Sequence, residues 1–433
     1  MSTLAEVKLW GKRVGAVSLQ EGDDVATFEY LPEFTESKLE VAPLTMTLDE
    51  RGPFRFPELA QRTFKGLPGL LADSLPDRYG NALIDSWLDR QGRTPDSFNA
   101  VERLCYVGRR GMGALEFNPS LGPRPTPSHQ IDVGALAELA ASVLSERGRL
   151  RTALDRDGAL DEILRVGSSA GGARAKALVA LDPRTNEVRS GQLDADSTFE
   201  HWILKFDGVD DSSREIGIPD GYGAIELAYS RMARTAGIEM SECRLLEENG
   251  RRHFMTRRFD RLADGTKLHM QSLGAIAHLD FNQPGANSYE QALMTIRRLG
   301  LSMTAIEEQF RRMAFNVVAR NQDDHVKNIA FLMDGSGRWR LSPAFDLIYA
   351  FNPSGSWTGQ HQMSLNGKRD GFTVEDFREV GRTASMKRGR ADQILADVIA
   401  AVETWPEEAA STGVSDLQIV RIEHNHRLRL PQG

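Results

Sequence analysis

Cysteine is nearly absent: two residues, Cys105 and Cys243, in a chain of 433. They stand far apart with no metal-type spacing, which argues against a disulfide framework and for buried thiols in a reducing compartment. A basic surplus is also missing. The formal net charge is -8, whereas a chain that binds duplex DNA by itself carries a strong positive excess. Arg109-Arg110, Arg257-Arg258, Arg297-Arg298 and Arg311-Arg312 are isolated basic pairs of the kind found on solvated faces, so DNA is expected only through a partner. No apolar run is long enough to cross a bilayer. The first fourteen residues carry Glu6, Lys8, Lys12 and Arg13 and lack the apolar core of a secretory signal. These absences predict a cytoplasmic protein with no membrane partner.

What is present is the balance of a globular chain. Hydrophobic residues make up 40 % and charged residues 26 %, enough for a buried core and for two or three domains. Val7, Leu9, Val14 and Val17 around Gly11 and Gly15, followed by residues 26–31, predict a hairpin in a small antiparallel sheet. Leu83, Ile84, Trp87 and Leu88 form a helical stripe after a loop holding Gly80. Residues 114–117 read as a strand, and 119–128, rich in proline, serine and threonine, bound a first domain over 1–125. Then come a helix over 130–150, strands at 177–181 and 202–206, and a polar loop over 207–220. A helix over 223–236 stops at Gly237, and a strand covers 253–259. A long helix over 303–320 turns Ile306, Phe310, Met313, Ala314, Val317 and Val318 inward. After the polar stretch 321–328, strands at 329–333 and 339–341 flank a turn, and the remainder to about Leu430 reads as helices. The order predicts an α+β protein: a small sheet-containing N-terminal domain, then a catalytic region over 130–433. That region has a sheet-rich lobe to about residue 265 and a helical lobe after it.

Four pieces of this order carry chemistry. The first is a glycine- and serine-rich turn with Gly167, Ser168, Ser169, Gly171, Gly172 and Lys176, leading into an apolar strand. Glycine lets backbone N–H groups approach phosphate oxygens, and the Gly-Lys-Ser/Thr of a Walker A loop is missing. The second is Lys205, among Trp202, Ile203, Leu204 and Phe206. A kinase strand places there the lysine that pairs the α- and β-phosphates, and Glu226 is its candidate carboxylate. The third is Asn321-Gln322-Asp323-Asp324-His325-Val326-Lys327-Asn328. Asp323 and Asn328 stand five apart, the interval of aspartate and asparagine in a protein-kinase catalytic loop. Phosphoryl transfer needs a carboxylate to orient the attacking hydroxyl and an oxygen ligand for magnesium. Lys327 suits neutralisation of the transferred group, His325 suits a structural hydrogen bond, and Asp324 rivals Asp323 for the base. The fourth is Asp346, where a kinase places its metal-bridging aspartate; Asn328 and Asp346 suffice as Mg2+ ligands beside waters and phosphate oxygens.

At these residues the chain resembles the HipA family, the kinase toxins of HipBA-type toxin–antitoxin modules. The resemblance lies in Gly167 to Lys176, Asp323-x-His325-x-Lys327-Asn328 and Ser342-Pro343-x-x-Asp346. Phe64-Lys65-Gly66-Leu67-Pro68, Leu75-Pro76-Asp77-Arg78-Tyr79-Gly80, Met112-Gly113-Ala114-Leu115 and Arg258-Phe259-Asp260-Arg261 extend it over nearly the whole chain. It implies a two-lobed protein-kinase-like fold and a Ser/Thr protein kinase using ATP and Mg2+. Asp323 would be the base, Asn328 and Asp346 the metal ligands, and Lys205 the phosphate-pairing lysine. Lys176, His325, Arg258 and Phe259 would belong to the nucleotide site, the last two near the adenine edge. The resemblance also implies inhibitory autophosphorylation in the glycine-rich loop, at Ser169 with Ser168 as the rival. Its implied substrate is an aminoacyl-tRNA synthetase, notably the glutamyl enzyme, and its implied partner a HipB-like helix-turn-helix antitoxin that binds operator DNA. Arg174-Ala175 departs from the polar residues some relatives carry there. Two other readings stay open: a small-molecule kinase, and a catalytically silent co-repressor acting only through antitoxin and DNA.

Overall fold

The computed structural model describes residues 2–50, 52–122, 131–145, 174–191, 198–209 and 221–433. Gly167, Ser168, Ser169, Gly171 and Gly172 lie outside the described residues, as does most of the 207–220 loop. The chain forms two compact units, each assembled from three stretches. The first takes Met1–Ser213, Leu246–Gln271 and Leu332–Arg338; the second takes Arg214–Leu245, Ser272–Phe331 and Trp339–Gly433. Compactness thus groups the residues expected in the N-terminal domain with those of the sheet-rich lobe.

In the first unit, β1 (Ser2–Leu9) and β2 (Lys12–Gln20) form the expected hairpin, with Leu9 opposite Lys12. The two turn residues, Trp10 and Gly11, both have positive φ, as a two-residue turn matched to strand twist requires. The Trp10 indole donates to the Lys267 carbonyl at 2.6 Å, which holds a non-glycine residue in that conformation. With β3 (Thr27–Tyr30) and β4 (Leu115–Asn118) the sheet runs β3-β2-β1-β4, all antiparallel. Gly66 has a φ of 76°, and a Cβ there would collide with the Asp24 carbonyl oxygen, which explains the glycine of the Phe64-to-Pro68 segment by packing. Helix α1 (Arg78–Arg90) starts at Asp77, whose side chain accepts from the Gly80 N–H; α2 (Ala100–Val107) starts at a capping box of Asn99 and Glu102.

The second sheet of this unit runs β6-β5-β7-β9-β8. Its strands are β5 (Lys176–Leu181), β6 (Val188–Ser190), β7 (Glu200–Lys205), β8 (Cys243–Glu248) and β9 (Arg251–Arg257). Alternation sends Ala177, Val179, Leu181, Trp202, Leu204 and Met255 to one face. There they meet Tyr79 and Leu83 of α1 and Val133, Leu136, Ala137 and Ala140 of α3 (Val133–Ser145). Burying one large apolar side chain contributes about 1.5–3 kcal/mol. Register puts Lys176, Leu178, Ile203, Lys205, Phe254 and Thr256 on the opposite face.

A buried charge cluster ties β9 to the turn before β4. The Asp260 carboxylate is fully enclosed and accepts from the Gly113 N–H at 2.7 Å, from Arg258 at 2.8 and 2.9 Å, and from Arg261 at 2.8 Å. Both arginines also donate to the Gly111 carbonyl. Burial would raise the Asp260 carboxyl, but the two guanidinium charges hold it far below the ordinary range.

The second unit is mainly helical. It holds α4 (Tyr222–Thr235), α5 (Tyr289–Arg298), α6 (Met303–Val318), α7 (Val374–Thr383), α8 (Arg390–Val402), α9 (Trp405–Ser411) and α10 (Asp416–Asn425). Gly237, at a φ of 82°, ends the α4 segment as expected. All six residues expected inward on α6 are buried. Tyr229 of α4 packs edge-on against Trp405 and Phe315, and its hydroxyl donates to the Ala319 carbonyl at 2.7 Å. The strands after α6 are β12 (Ala330–Met333) and β13 (Trp339–Leu341), preceded in the chain by β10 (His269–Ser272) and β11 (Asn287–Ser288). One expectation is corrected here. Residues 342–373 are not helical; they hold only β14 (Met363–Ser364), which pairs with β11, and Pro343, Pro353, Gly355, Gly359, Gly367 and Gly371 break any helix. Among the described residues no helix is long and apolar enough to cross a membrane.

Candidate active site

Helix α6 stops at Val318, and Arg320 turns the chain with a φ of 58°. The Arg320 guanidinium lies over the Phe351 ring and its Nε donates to the Asn425 carbonyl at 2.8 Å. The Gln322 N–H then donates to the Ala350 carbonyl at 3.0 Å, so the loop enters pinned on its backbone. Two adjacent carboxylates follow, and successive side chains of an extended chain point opposite ways.

Asp324 points inward and is fully enclosed. Its carboxylate accepts from the Tyr289 hydroxyl at 2.6 Å, the His361 Nδ1 at 2.7 Å and the Gln362 N–H at 2.7 Å. Burial would push this carboxyl up; His361, Tyr289 and the Gln362 amide outweigh it and hold it below the usual carboxylate value. Asp323 points outward, with 30 % of its side chain exposed, and its Oδ1 accepts from the Trp357 indole at 2.7 Å. Sequence left the two as rivals for the base. Of the two, Asp324 is enclosed and Asp323 is partly exposed.

Val326–Asn328 forms a short 3-10 turn that brings Asn328 back toward Asp323: its Nδ2 donates to the Asp323 carbonyl at 2.9 Å. With the amide nitrogen so engaged, the Asn328 Oδ1 is the atom left to meet a cation. Asp346 has a φ of 54°, in the left-handed region that Asp and Asn tolerate better than other side chains, and its carbonyl accepts from Asn321 Nδ2 at 3.2 Å. Asn321, Asp324, His325, Asn328 and Asp346 line one small cleft. Magnesium takes few carboxylates and otherwise oxygen ligands, so an amide oxygen and the Asp346 carboxylate fit it. Buried Asn321 Oδ1 in this cleft has no hydrogen-bond partner among the described residues.

His325 does not make the structural hydrogen bond expected of it. Its Nε2 is 3.8 Å from Asp323, beyond hydrogen-bond length, and its buried Nδ1 has no partner among the described residues. The ring is held by packing against Phe281 and Trp357. Lys327 Nζ sits 5.3 Å over the Phe281 ring.

The first unit holds most of the other expected residues. Lys205 ends β7 on the face away from the core, its Nζ 5.6 Å over the Phe254 ring. Lys176 stands opposite Lys205 in register and is buried in an ion pair with Asp77 at 3.3 Å, a partner that sequence did not indicate. The Arg258 side chain is not placed to meet adenine: it is 1 % exposed and committed to Asp260. Phe259 beside it is half-buried. Glu226, in the second unit, is buried on α4.

Sequence reasoning missed Trp357, Tyr289 and His361. They stand 34 to 37 residues from the carboxylates they touch, and no local spacing signals such pairs.

A family model described as the HipA N-terminal domain matches residues 5–118, and one described as the HipA-like C-terminal domain matches 168–405. Two proteins of Sinorhizobium fredii, Y4dM and Y4mE, both described as kinases on a provisional basis, are 24 % and 26 % identical. Each similarity covers 80 % of this chain and 77 % of the relative. A chain of the Shewanella oneidensis MR-1 toxin antitoxin complex of HipA, HipB and operator DNA superposes with a TM-score of 0.68 at 16 % identity. It covers 98 % of this chain and 94 % of that one, a likeness of fold.

Proposed function

The chain belongs to the HipA family, and on that premise we propose that it is an ATP-dependent protein Ser/Thr kinase, the toxin of a toxin–antitoxin pair. One observation carries the catalytic half. Of two adjacent carboxylates, Asp324 is buried and fully engaged, whereas Asp323 is accessible and joined through Asn328 to the cleft that holds Asp346.

In the proposed reaction a serine or threonine hydroxyl oxygen of the substrate protein attacks the γ-phosphorus of ATP. The new O–P bond forms as the bond to the β,γ-bridging oxygen breaks, ADP leaves with that electron pair, and the hydroxyl proton passes to Asp323. Lys205 pairs the α- and β-phosphates, and Lys327 offsets charge on the transferred group. Asn328 and Asp346 would hold Mg2+, which supplies neutralisation of phosphate charge when bound. Phosphorylation of Ser169, or of Ser168, would place about -1.5 to -2 charges where ATP phosphates must lie and so switch the enzyme off. The proposed substrate is an aminoacyl-tRNA synthetase, the glutamyl enzyme first, and the proposed partner a HipB-like antitoxin that carries the complex to DNA in the cytoplasm. The presence of HipB and operator DNA with the Shewanella chain supports that partner. Functional segments at 1–125 and 130–433 are proposed with it, supported by the ranges of the two family models.

The test is incubation of the dephosphorylated protein with labelled ATP, magnesium and a cytosolic extract, and location of the label by mass spectrometry. Label on Ser168 or Ser169 and on one dominant extract protein is expected. Asp323→Ala should abolish incorporation and leave the circular-dichroism spectrum and Tm intact. Incorporation at the parent rate by that variant would remove Asp323 as base, and none by the parent would favour the silent co-repressor.

A further inference from the structure

A continuous run of hydrogen bonds in the second unit, exposed at Asp370 and buried from His361 to Asn316, links the C-terminal segment to both halves of the candidate catalytic cleft. It begins at Asp370, which pairs with Arg427. Arg427 NH1 lies 2.9 Å from His361 Nε2, and His361 Nδ1 lies 2.7 Å from Asp324. Asp324 accepts from Tyr289, whose hydroxyl also accepts from Asn316 Nδ2 at 3.0 Å. The Asn316 Oδ1 accepts from Asn321 Nδ2 at 2.9 Å, and Asn321 Nδ2 reaches the Asp346 carbonyl. Asp324 stands beside Asp323, the proposed base, and Asp346 is with Asn328 a proposed metal ligand.

The partners fix the imidazole. A guanidinium only donates, so His361 Nε2 accepts; a carboxylate only accepts, so Nδ1 carries the proton. The ring therefore bridges Arg427 to Asp324, and Arg427 is the fixed cation of the run. Burial and the Arg320 charge pull the Arg427 guanidinium down to about 10, so it stays charged at neutral pH. Its backbone N–H donates to the Val318 carbonyl at 2.8 Å and its NH1 to Val317, which seats it against the end of α6 just before the catalytic loop. Without the cation beyond His361 the buried carboxylate is held by hydrogen bonds alone, and the loop is drawn toward water, where Asp324 could be solvated.

We propose that Arg427, in the C-terminal segment, is a positioning residue for the catalytic loop: through His361 it holds Asp324 inside and thereby aims Asp323 and Asn328 outward. Its catalytic half rests on the kinase reading above.

The experiment uses the full chain and Arg427→Met, which keeps an unbranched apolar stem and removes the guanidinium that lies over Phe372. Two readouts are taken. The first is the initial rate of ADP formation over a series of ATP concentrations. The second is backbone amide exchange by mass spectrometry over 321–328 and at Gln362, whose N–H is bound to Asp324. Arg427→Met should lower kcat roughly tenfold or more, about 1.4 kcal/mol in the barrier, with KM for ATP within about twofold. Exchange in those segments should quicken by a similar factor, with β1 and β2 unchanged. Arg427→Lys should restore part of both, and millimolar guanidinium ion should restore part of the kcat of the Met variant. Unchanged kcat and unchanged exchange in the Met variant overturn the proposal, as does a rise in KM at constant kcat. If the Met variant does not fold, Asp370→Asn is read instead. Loss of the outer partner of Arg427 should move both readouts the same way by about two- to fivefold, and no movement overturns the proposal. If the parent forms no ADP, the kinase reading falls, and exchange alone decides whether Arg427 anchors the loop.

Discussion

Asp323 and Asp324 are the same side chain one residue apart, and their surroundings give them different chemistry. The indole of Trp357 donates to the Asp323 carboxylate at 2.7 Å. In the proposed reaction it fixes the carboxylate for the incoming hydroxyl. Trp357→Phe should therefore lower kcat by roughly three- to tenfold, the scale of one hydrogen bond to a charged group, and leave Tm nearly unchanged. A higher kcat would mean that the indole restrains the base. Asp260 offers the opposite case, a carboxylate whose whole task is structural. Asp260→Ala strands the buried Arg258 and Arg261 charges and should cost about 3–5 kcal/mol in urea unfolding. A loss below about 1 kcal/mol would show that water reaches those arginines.

Among the elements, α2 tests the local rules most directly. Asn99 caps its first turn and Glu102 reaches back to the Asn99 N–H at 2.9 Å. Asn99→Ala should cost about 1 kcal/mol, read as a fall in the unfolding midpoint at unchanged m-value. Elements with such local signals were legible in the sequence. The hairpin β1-β2 announced itself by alternation, α4 by its stop at Gly237, and α6 by its inward stripe. The short β6 and the half-exposed β8 carry too little alternation to stand out, and they exist because β5 and β9 need neighbours. Residues 342–373 do not continue the helices expected to about Leu430 because two prolines and four glycines interrupt them. The site divides the same way. The Asp323–Asn328 interval is local and could be read directly. Which aspartate faces out depends on Tyr289, His361 and Gln362, and the enclosure of Arg258 depends on Asp260 and Gly111, contacts that only the folded chain makes.

For the molecule as a whole, buried histidines set the response to acid. Burial lowers His253 and His269 to about 4, and burial with the Arg320 charge lowers His426 to about 3. His253 Nδ1 accepts from the Asp207 N–H at 2.9 Å, which requires an unprotonated nitrogen. In the unfolded chain each ring titrates near about 6.5. Below that pH the unfolded state binds protons that the folded state refuses. The stabilisation is complete above about 6.5 and is lost as pH falls toward 4, by up to about 1.4 kcal/mol per pH unit for each ring. Tm by calorimetry should fall steadily between pH 6.5 and 4.5, and a flat Tm there would contradict neutral buried rings. The two compact units also interleave along the chain, which passes from one to the other five times. On the ribosome this becomes a matter of timing. The amino-terminal strands emerge early, yet the last stretch of their own unit, Leu332–Arg338, is translated more than a hundred residues after Ser213. At about 5–20 residues per second that is on the order of ten seconds during which a nascent first unit must persist incomplete.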